Sequence, residues 1–460
     1  MKKIFEVVIL ICLLIATFAS SAQISLEGKL TGIQQNYFLI EIHNTRDTIR
    51  LDENGTFSVD ITQGGEGYYK IYYGRSVYTL YLLEGGTTRL ENDPKTLSAP
   101  LQYSGVSGVY CDYLRTKEQN NRTIWSLNAA VRLDMEPEKF IHLRDSIRTL
   151  RNALLLRMNA EHPFKETFLA MAQKENDFIY GSEMITFGNV LLKNGKNNID
   201  PLLQQWNKLN WNDGTMAWSP DFQQFVKQAV QARAATQFNE KGKKEYADYC
   251  FLQIETACKE ISNRQVKDAI LPEVMGKVID EIGTRDLSSL VEMCCKNLSS
   301  PRACELLRMK AAAYSHLYPS KASPDFTAYD TEGKSYGPSQ WRGKVVYIDV
   351  WATWCGPCKK EIPELQKLEE EYKNREVQFV SISTDRDEQA WINFLKTQPM
   401  GGLQLHQANR EEGSISKAYI VNSIPRFILL NRKGEIVSAD APRPSSGEVI
   451  KALLEKTLSE

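Results

Sequence analysis

Histidine is scarce: five residues in 460, namely His43, His142, His162, His316 and His406. A zinc site would need ligands clustered at short spacing and would ordinarily recruit histidine, so no metal-binding pattern is present. A surplus of either charge is missing too. Lys plus Arg total 56 against 57 for Asp plus Glu, a formal charge of -1, which argues against a surface that holds nucleic acid through its phosphates. Beyond residue 22 no apolar run is long enough to cross a bilayer, and the one run before it, Val7 to Ala16, is well short of the roughly 20 residues a span requires. Fixed-period repeats and low-complexity stretches are also lacking. What is there is 42% hydrophobic and 25% charged, the balance of a folded chain, and the length suggests about three domains.

The short apolar run has a purpose of its own. Lys2 and Lys3 precede it, and Ser20 and Ala22 follow as the small residues a signal peptidase accepts, so residues 1–22 read as a signal peptide and Gln23 as the mature start. Cys12 lies inside the run and does not have the position of a lipid-attachment cysteine. Export to a periplasm or cell envelope places the remaining cysteines, Cys111, Cys250, Cys258, Cys294, Cys295, Cys304, Cys355 and Cys358, under oxidising conditions. The first six suit buried thiols or one or two structural disulfides, and spacing does not choose among their pairings.

Three patterns follow one another along the mature chain. Residues 23–105 are β-rich: Tyr37–Ile42 and Thr56–Ile61 alternate aromatic and β-branched residues around the turn Asp52-Glu53-Asn54-Gly55, as in a small antiparallel sandwich or barrel. Its tyrosines, including Tyr68, Tyr69, Tyr72, Tyr73, Tyr78 and Tyr81, are ordinary strand residues before they are a binding face. Residues 106–320 turn helical. Phe140, Leu143, Ile147, Leu150 and Leu154 recur at helical steps after Pro137, and Ser219-Pro220 opens a helix carrying Phe222, Phe225, Val226 and Val230. Residues 321–460 form an α/β segment.

In that last segment Val345–Val350 is a nearly continuous apolar run, the pattern of a strand buried on both faces. Trp351-Ala352-Thr353-Trp354-Cys355-Gly356-Pro357-Cys358 follows directly, and a helix with Ile362, Leu365 and Leu368 on its inner face comes next. The two cysteines thus sit where a strand hands over to a helix N-terminus. Unpaired N–H groups there favour a thiolate and can lower a cysteine pKa from about 8.5 to near 7. Cys355 is placed to attack a disulfide, and Cys358 to reach back and resolve the mixed disulfide.

These residues resemble thioredoxin. Pro363 matches the proline of the active-site helix, and Ser423-Ile424-Pro425-Arg426-Phe427 followed by Gly434-Glu435 is similar to the cis-proline loop and the strand after it. Ala322-Ser323-Pro324-Asp325-Phe326, Trp341-Arg342-Gly343-Lys344 and Cys358-Lys359-Lys360-Glu361-Ile362-Pro363 narrow the resemblance to the TlpA/ResA-like thiol-disulfide oxidoreductases of bacterial envelopes. The resemblance implies a thioredoxin fold over residues 321–460, with no cofactor and no metal. It also implies disulfide-containing envelope proteins as substrates and a membrane thiol as electron donor. Cys355 and Cys358 would exchange the disulfide, with Trp354, Gly356, Pro357, Pro425 and the Ile424 backbone around the substrate strand.

Asp349, six residues before Cys355, matches the buried acid of thioredoxin and implies a proton acceptor for Cys358; the alternative is a solvated carboxylate at a sheet edge. Glu361 is equally well explained as an acid favouring the helix dipole. Gly356-Pro357 resembles reducing members of the family. Two other readings are a redox-sensing scaffold working through the first two segments, and a peroxiredoxin-like peroxidase. The peroxidase would want a threonine three residues before its cysteine, where Ala352 stands.

Overall fold

The computed structural model describes residues 23–460 apart from 33–34, 62–63, 75, 93–100, 129–134, 241–244 and 408–411. The expected signal peptide, residues 1–22, lies outside the described residues. Among the described residues no helix is long and apolar enough to cross a membrane. The chain divides into two units, one of residues 1–243 with 255–270 and the other of residues 244–254 with 271–460.

Among the described residues of the first unit, eight strands come before the helices. They are β1 (Ile24–Lys29), β2 (Tyr37–Ile42), β3 (Thr45–Arg50), β4 (Thr56–Ile61), β5 (Gly67–Tyr73), β6 (Ser76–Leu82), β7 (Gly86–Glu91) and β8 (Gln102–Gly105). They make two four-stranded sheets, β4-β1-β7-β8 and β3-β2-β5-β6. The expected antiparallel arrangement needs one correction: β1 and β7 run parallel, from Ile24 opposite Gly86 to Lys29 opposite Glu91. Gly28 carries that pairing, because a Cβ there would come within 1.9 Å of the Leu90 carbonyl oxygen. Of the six tyrosines, Tyr68, Tyr69, Tyr73 and Tyr81 are buried and Tyr72 and Tyr78 half-buried, so their rings fill the core rather than form an open binding face.

The helices of this unit are α1 (Gly108–Asn128), α2 (Pro137–Glu161), α3 (Glu166–Lys193), α4 (Asp200–Trp206) and α5 (Pro220–Glu240). Ser219 caps α5, its hydroxyl accepting the Phe222 N–H at 3.3 Å, and Phe222, Phe225, Val226 and Val230 are fully buried as expected. Helix α2 differs from its expected face. Leu143 and Leu150 point to solvent, and the buried stripe is Phe140, Arg144, Ile147, Arg151 and Leu155. Two arginines can sit on that stripe because Glu183 of α3 pairs with both, 2.6 Å from Arg151 and 3.4 Å from Arg144. A second buried network joins Glu175 to Lys117 at 2.6 Å, to the Ser219 hydroxyl at 2.7 Å and to the Tyr68 hydroxyl.

Helices α6 (Tyr246–Glu260) and α7 (Arg264–Ile282) contribute residues to both units. The second unit continues through α8 (Ser288–Lys296) and α9 (Pro301–Ala312) into the α/β segment. Its strands are β9 (Ala328–Tyr329), β10 (Ser335–Tyr336), β11 (Val345–Trp351), β12 (Val377–Ser383), β13 (Leu403–His406), β14 (Arg426–Leu430) and β15 (Ile436–Ser438). They form one sheet in the order β10-β9-β13-β12-β11-β14-β15, with β11, β12 and β13 parallel and β14 antiparallel to β11. Helices α10 (Gly356–Glu371), α11 (Glu388–Thr397), α12 (Ile415–Ala418) and α13 (Glu448–Ser459) accompany it. All seven residues of β11 are buried, as a strand covered on both faces requires. Val345 and Tyr347 pack against Leu365 and Leu368 of α10 and Ile450 and Leu454 of α13.

The link from α9 into this sheet is direct. The Asn422 amide donates to the Tyr314 hydroxyl at 2.9 Å. The Ser320 N–H then donates to the Ile436 carbonyl at 2.8 Å, and Ala322 bridges to Glu435.

Candidate active site

The strand-to-helix junction is held before the first cysteine is reached. Asp385, buried just past β12, accepts the Thr353 N–H at 2.9 Å, the Thr353 hydroxyl at 2.8 Å and the Ser383 hydroxyl at 2.7 Å. Thr384 adds a backbone N–H to the Trp351 carbonyl at 2.8 Å. With the loop fixed on that side, Cys355 becomes the N-cap residue of α10, and its sulfur accepts the Cys358 N–H at 3.1 Å. An N-terminal donor aimed at Sγ is the arrangement that favours negative charge on that sulfur.

Cys355 and Cys358 are joined in a disulfide, with Cα atoms 5.3 Å apart. Both are buried, Cys355 no more open than Cys358 in any useful sense. Access comes from the neighbours instead. Trp354 is 68% exposed, Gly356 and Pro357 are exposed, and a Cβ at Gly356 would meet no atom within 4 Å. The far-downstream loop arrives from another direction: the Ile424–Pro425 peptide is cis, and the Ile424 carbonyl oxygen lies 3.8 Å from Cys355 Sγ. Ile424 also packs on the cluster of Trp351, Ala352, Cys355, Cys358, Ile362 and Trp391. Cys355, Cys358, Ile424 and Pro425 are therefore brought together from positions about seventy residues apart.

Asp349 stands in β11 opposite Ser381 and Phe427. It is 4% exposed, and its Oδ1 finds no hydrogen-bond partner among the described residues. The solvated edge carboxylate is thus not what the fold makes of it. Burial, reinforced by the negative fields of Glu361 and Glu369, pushes the Asp349 carboxyl up to about 8. Glu361 is buried as well and is caged by Ser445, whose N–H and hydroxyl reach it at 3.0 Å and 2.8 Å. Glu369, half-buried one turn from the end of the same helix, is pushed up to about 7 by burial.

Three contributors escaped the sequence. Asp385 lies in a loop and Ser445 in a short 3-10 turn, Pro444–Ser446, 32 and 84 residues from their partners, with no spacing that marks them. Glu369 carries no mark in the sequence that separates it from the other acids of α10, although burial governs its titration.

With this geometry in place, comparison with known proteins is informative. The Redoxin family model matches residues 319–453. The thiol-disulfide oxidoreductase ResA of Bacillus thuringiensis subsp. konkukian is 31% identical over 140 residues, covering 30% of this chain and 76% of that protein. The chain belongs to the ResA family of thiol-disulfide oxidoreductases. The ResA of Bacillus subtilis shows 31% identity over 115 residues, 25% of this chain and 63% of the relative. A solved thiol-disulfide oxidoreductase from Bacteroides vulgatus is 36% identical, covers 31% of this chain and 99% of its own, and superposes with a TM-score of 0.30. ResA-family membership makes the protein an enzyme, a thiol-disulfide oxidoreductase, and attaches that activity to the second unit's α/β segment.

Proposed function

We propose that this ResA-family enzyme is exported through a cleaved signal peptide to the periplasm or cell envelope, where it reduces disulfides of envelope proteins. The observation that supports this most strongly is the position of Cys355 Sγ, between the Cys358 N–H at 3.1 Å and the Ile424 carbonyl at 3.8 Å. In the reduced enzyme the Cys355 thiolate attacks a substrate sulfur. The S–S bond breaks toward the departing substrate thiolate, and a mixed disulfide forms on Cys355. Cys358 then gives up its proton and attacks Cys355 Sγ, restoring the enzyme disulfide and releasing the second substrate thiol. Asp349 serves as the acceptor of the Cys358 proton: burial raises its carboxyl to about 8, which makes the ionised form a far better base toward a thiol than an exposed aspartate.

Pro425 and the Ile424 backbone hold the substrate strand across the exposed Trp354, Gly356 and Pro357. A membrane thiol donor returns the electrons. The test is insulin reduction by the full mature chain. Wild type is expected to turn over and Cys355→Ser to lose the activity entirely; full activity in that variant would overturn the assignment of the attacking thiol.

A further inference from the structure

Among the described residues six cysteines stand outside the active-site disulfide, all as thiols: Cys111, Cys250, Cys258, Cys294, Cys295 and Cys304. Two of them are placed differently from the others. Cys295 lies in the last turn of α8 and Cys304 in the first turn of α9, whose N-cap is Ser300. Both are nearly buried, at 9% and 7% exposure. The Cys304 thiol donates to the Cys295 carbonyl oxygen at 3.7 Å. Over them lies a solvent-facing ion pair, Arg308 with Glu292, bidentate at 2.6 Å and 2.8 Å. Its guanidinium is near enough to act electrostatically on both sulfurs.

We propose that Cys295 and Cys304 are a second redox-convertible pair, which closes a disulfide between α8 and α9 when the protein meets a small-molecule disulfide. The step balances as two exchanges. One cysteine, as its thiolate, attacks a sulfur of glutathione disulfide, which forms a protein–glutathione S–S bond and expels one glutathione thiolate. The second cysteine loses its proton and attacks the protein sulfur of that bond, expelling the other glutathione. Two protein S–H bonds and one glutathione S–S bond become one protein S–S bond and two glutathione thiols, with two electrons passing to the oxidant. Burial, together with the neighbouring Cys304, holds the Cys295 thiol up at about 12, so closure is slow near neutrality and accelerates as pH rises.

The pair differs from the active site in kind. Its sulfurs lie at a helix C-terminus and within a neighbouring first turn, so it is a clasp between two helices, without a substrate loop beside it. Closing it removes freedom from the unfolded chain and leaves the packed α8–α9 contact in place.

The experiment uses the full mature chain carrying Cys355→Ser and Cys358→Ser, so that the active-site disulfide plays no part, with wild type in parallel. The protein is reduced, freed of reductant, incubated with glutathione disulfide, quenched in acid, alkylated and digested with trypsin. Expected is loss of two alkylatable thiols per chain and a cross-linked peptide joining residues 286–296 to 303–308, with Cys294 alkylated. Its yield should rise faster at higher pH, the oxidised protein should melt higher than the reduced one, and Cys304→Ser should abolish both effects. Cys295 and Cys304 both alkylated, each separately glutathionylated, or Cys304 joined to Cys294 in the folded protein would overturn the proposal. None of these outcomes bears on whether Cys355 attacks substrates, so the two readings fail separately.

Discussion

Replacing Asp349 with Asn removes a charge that the fold resists and keeps the shape, which makes the cost of that carboxylate measurable. The unfolded value is near 3.8 and the folded one about 8. Because the folded pKa is the higher, the folded state binds the extra proton, and the stability this confers is full below about pH 4 and is lost as pH rises through about 8. Between those limits wild type loses about 1.4 kcal/mol per pH unit from this group, or about 4 kcal/mol from about pH 5 to about pH 8. Asp349→Asn has no such slope. Glu369 is raised in the same direction, but it is present in both proteins and largely cancels in the difference.

The assay is urea-dependent hydrogen exchange of peptides over Val345–Trp351, which isolates this strand from the rest of a multi-unit chain whose bulk unfolding would not be two-state. The variant's opening free energy should exceed wild type's by an amount that grows with pH across that window. At acidic pH the sign can reverse by about 1–3 kcal/mol, the usual cost of a buried amide whose donors lack partners. Parallel pH profiles for the two proteins would refute the reasoning, since they would mean that the carboxyl does not change ionisation on folding.

The same variant should slow resolution of the mixed disulfide more than its formation, since only the second step consumes the Cys358 proton; equal stopped-flow rates for the two proteins would remove the role of Asp349. Cys358→Ser should accumulate reductant-sensitive adducts with exported proteins that vanish when Cys355 is also replaced, and a folded, exported variant without adducts would count against the reductase reading. Glu183→Ala should cost about 3–5 kcal/mol, because it leaves two buried arginines without their carboxylate; a urea midpoint close to wild type would show that water or another group serves them.

What the sequence made legible was whatever chemistry is written locally. The apolar run Val345–Val350 and the four residues from Cys355 to Cys358 determine a strand, a turn and a helix start within fourteen positions, and the fold realises them as read. Ser219-Pro220 belongs to the same kind, a cap whose partners are its immediate successors. Pro425 was readable for a different reason: it carries a family pattern, not a periodicity. The stripe on α2 failed because leucine was counted as buried and arginine as exposed, whereas Arg144 and Arg151 are made buriable by Glu183, 39 and 32 residues away. Parallel pairing of β1 with β7 is likewise decided by sheet order, which hydrophobic alternation does not encode. The hold of Asp385 on Thr353 and of Ser445 on Glu361 consists of two polar contacts each between residues far apart in sequence, with no pattern to detect.

The hydrogen bond from Asn422 to Tyr314 bears on where this enzyme can be cut. Asn422 stands two residues before Ile424, and Tyr314 lies ahead of residue 319, where the family match begins. A recombinant fragment started at 319 would keep the Ser320 and Ala322 contacts to the sheet and the whole disulfide site, yet it would discard the phenol on which the approach to the cis-proline loop rests. Catalytic rates taken from such a fragment would describe a loop with one anchor fewer than the full chain provides. A boundary placed before residue 314 retains the anchor and costs only a few additional residues of helix.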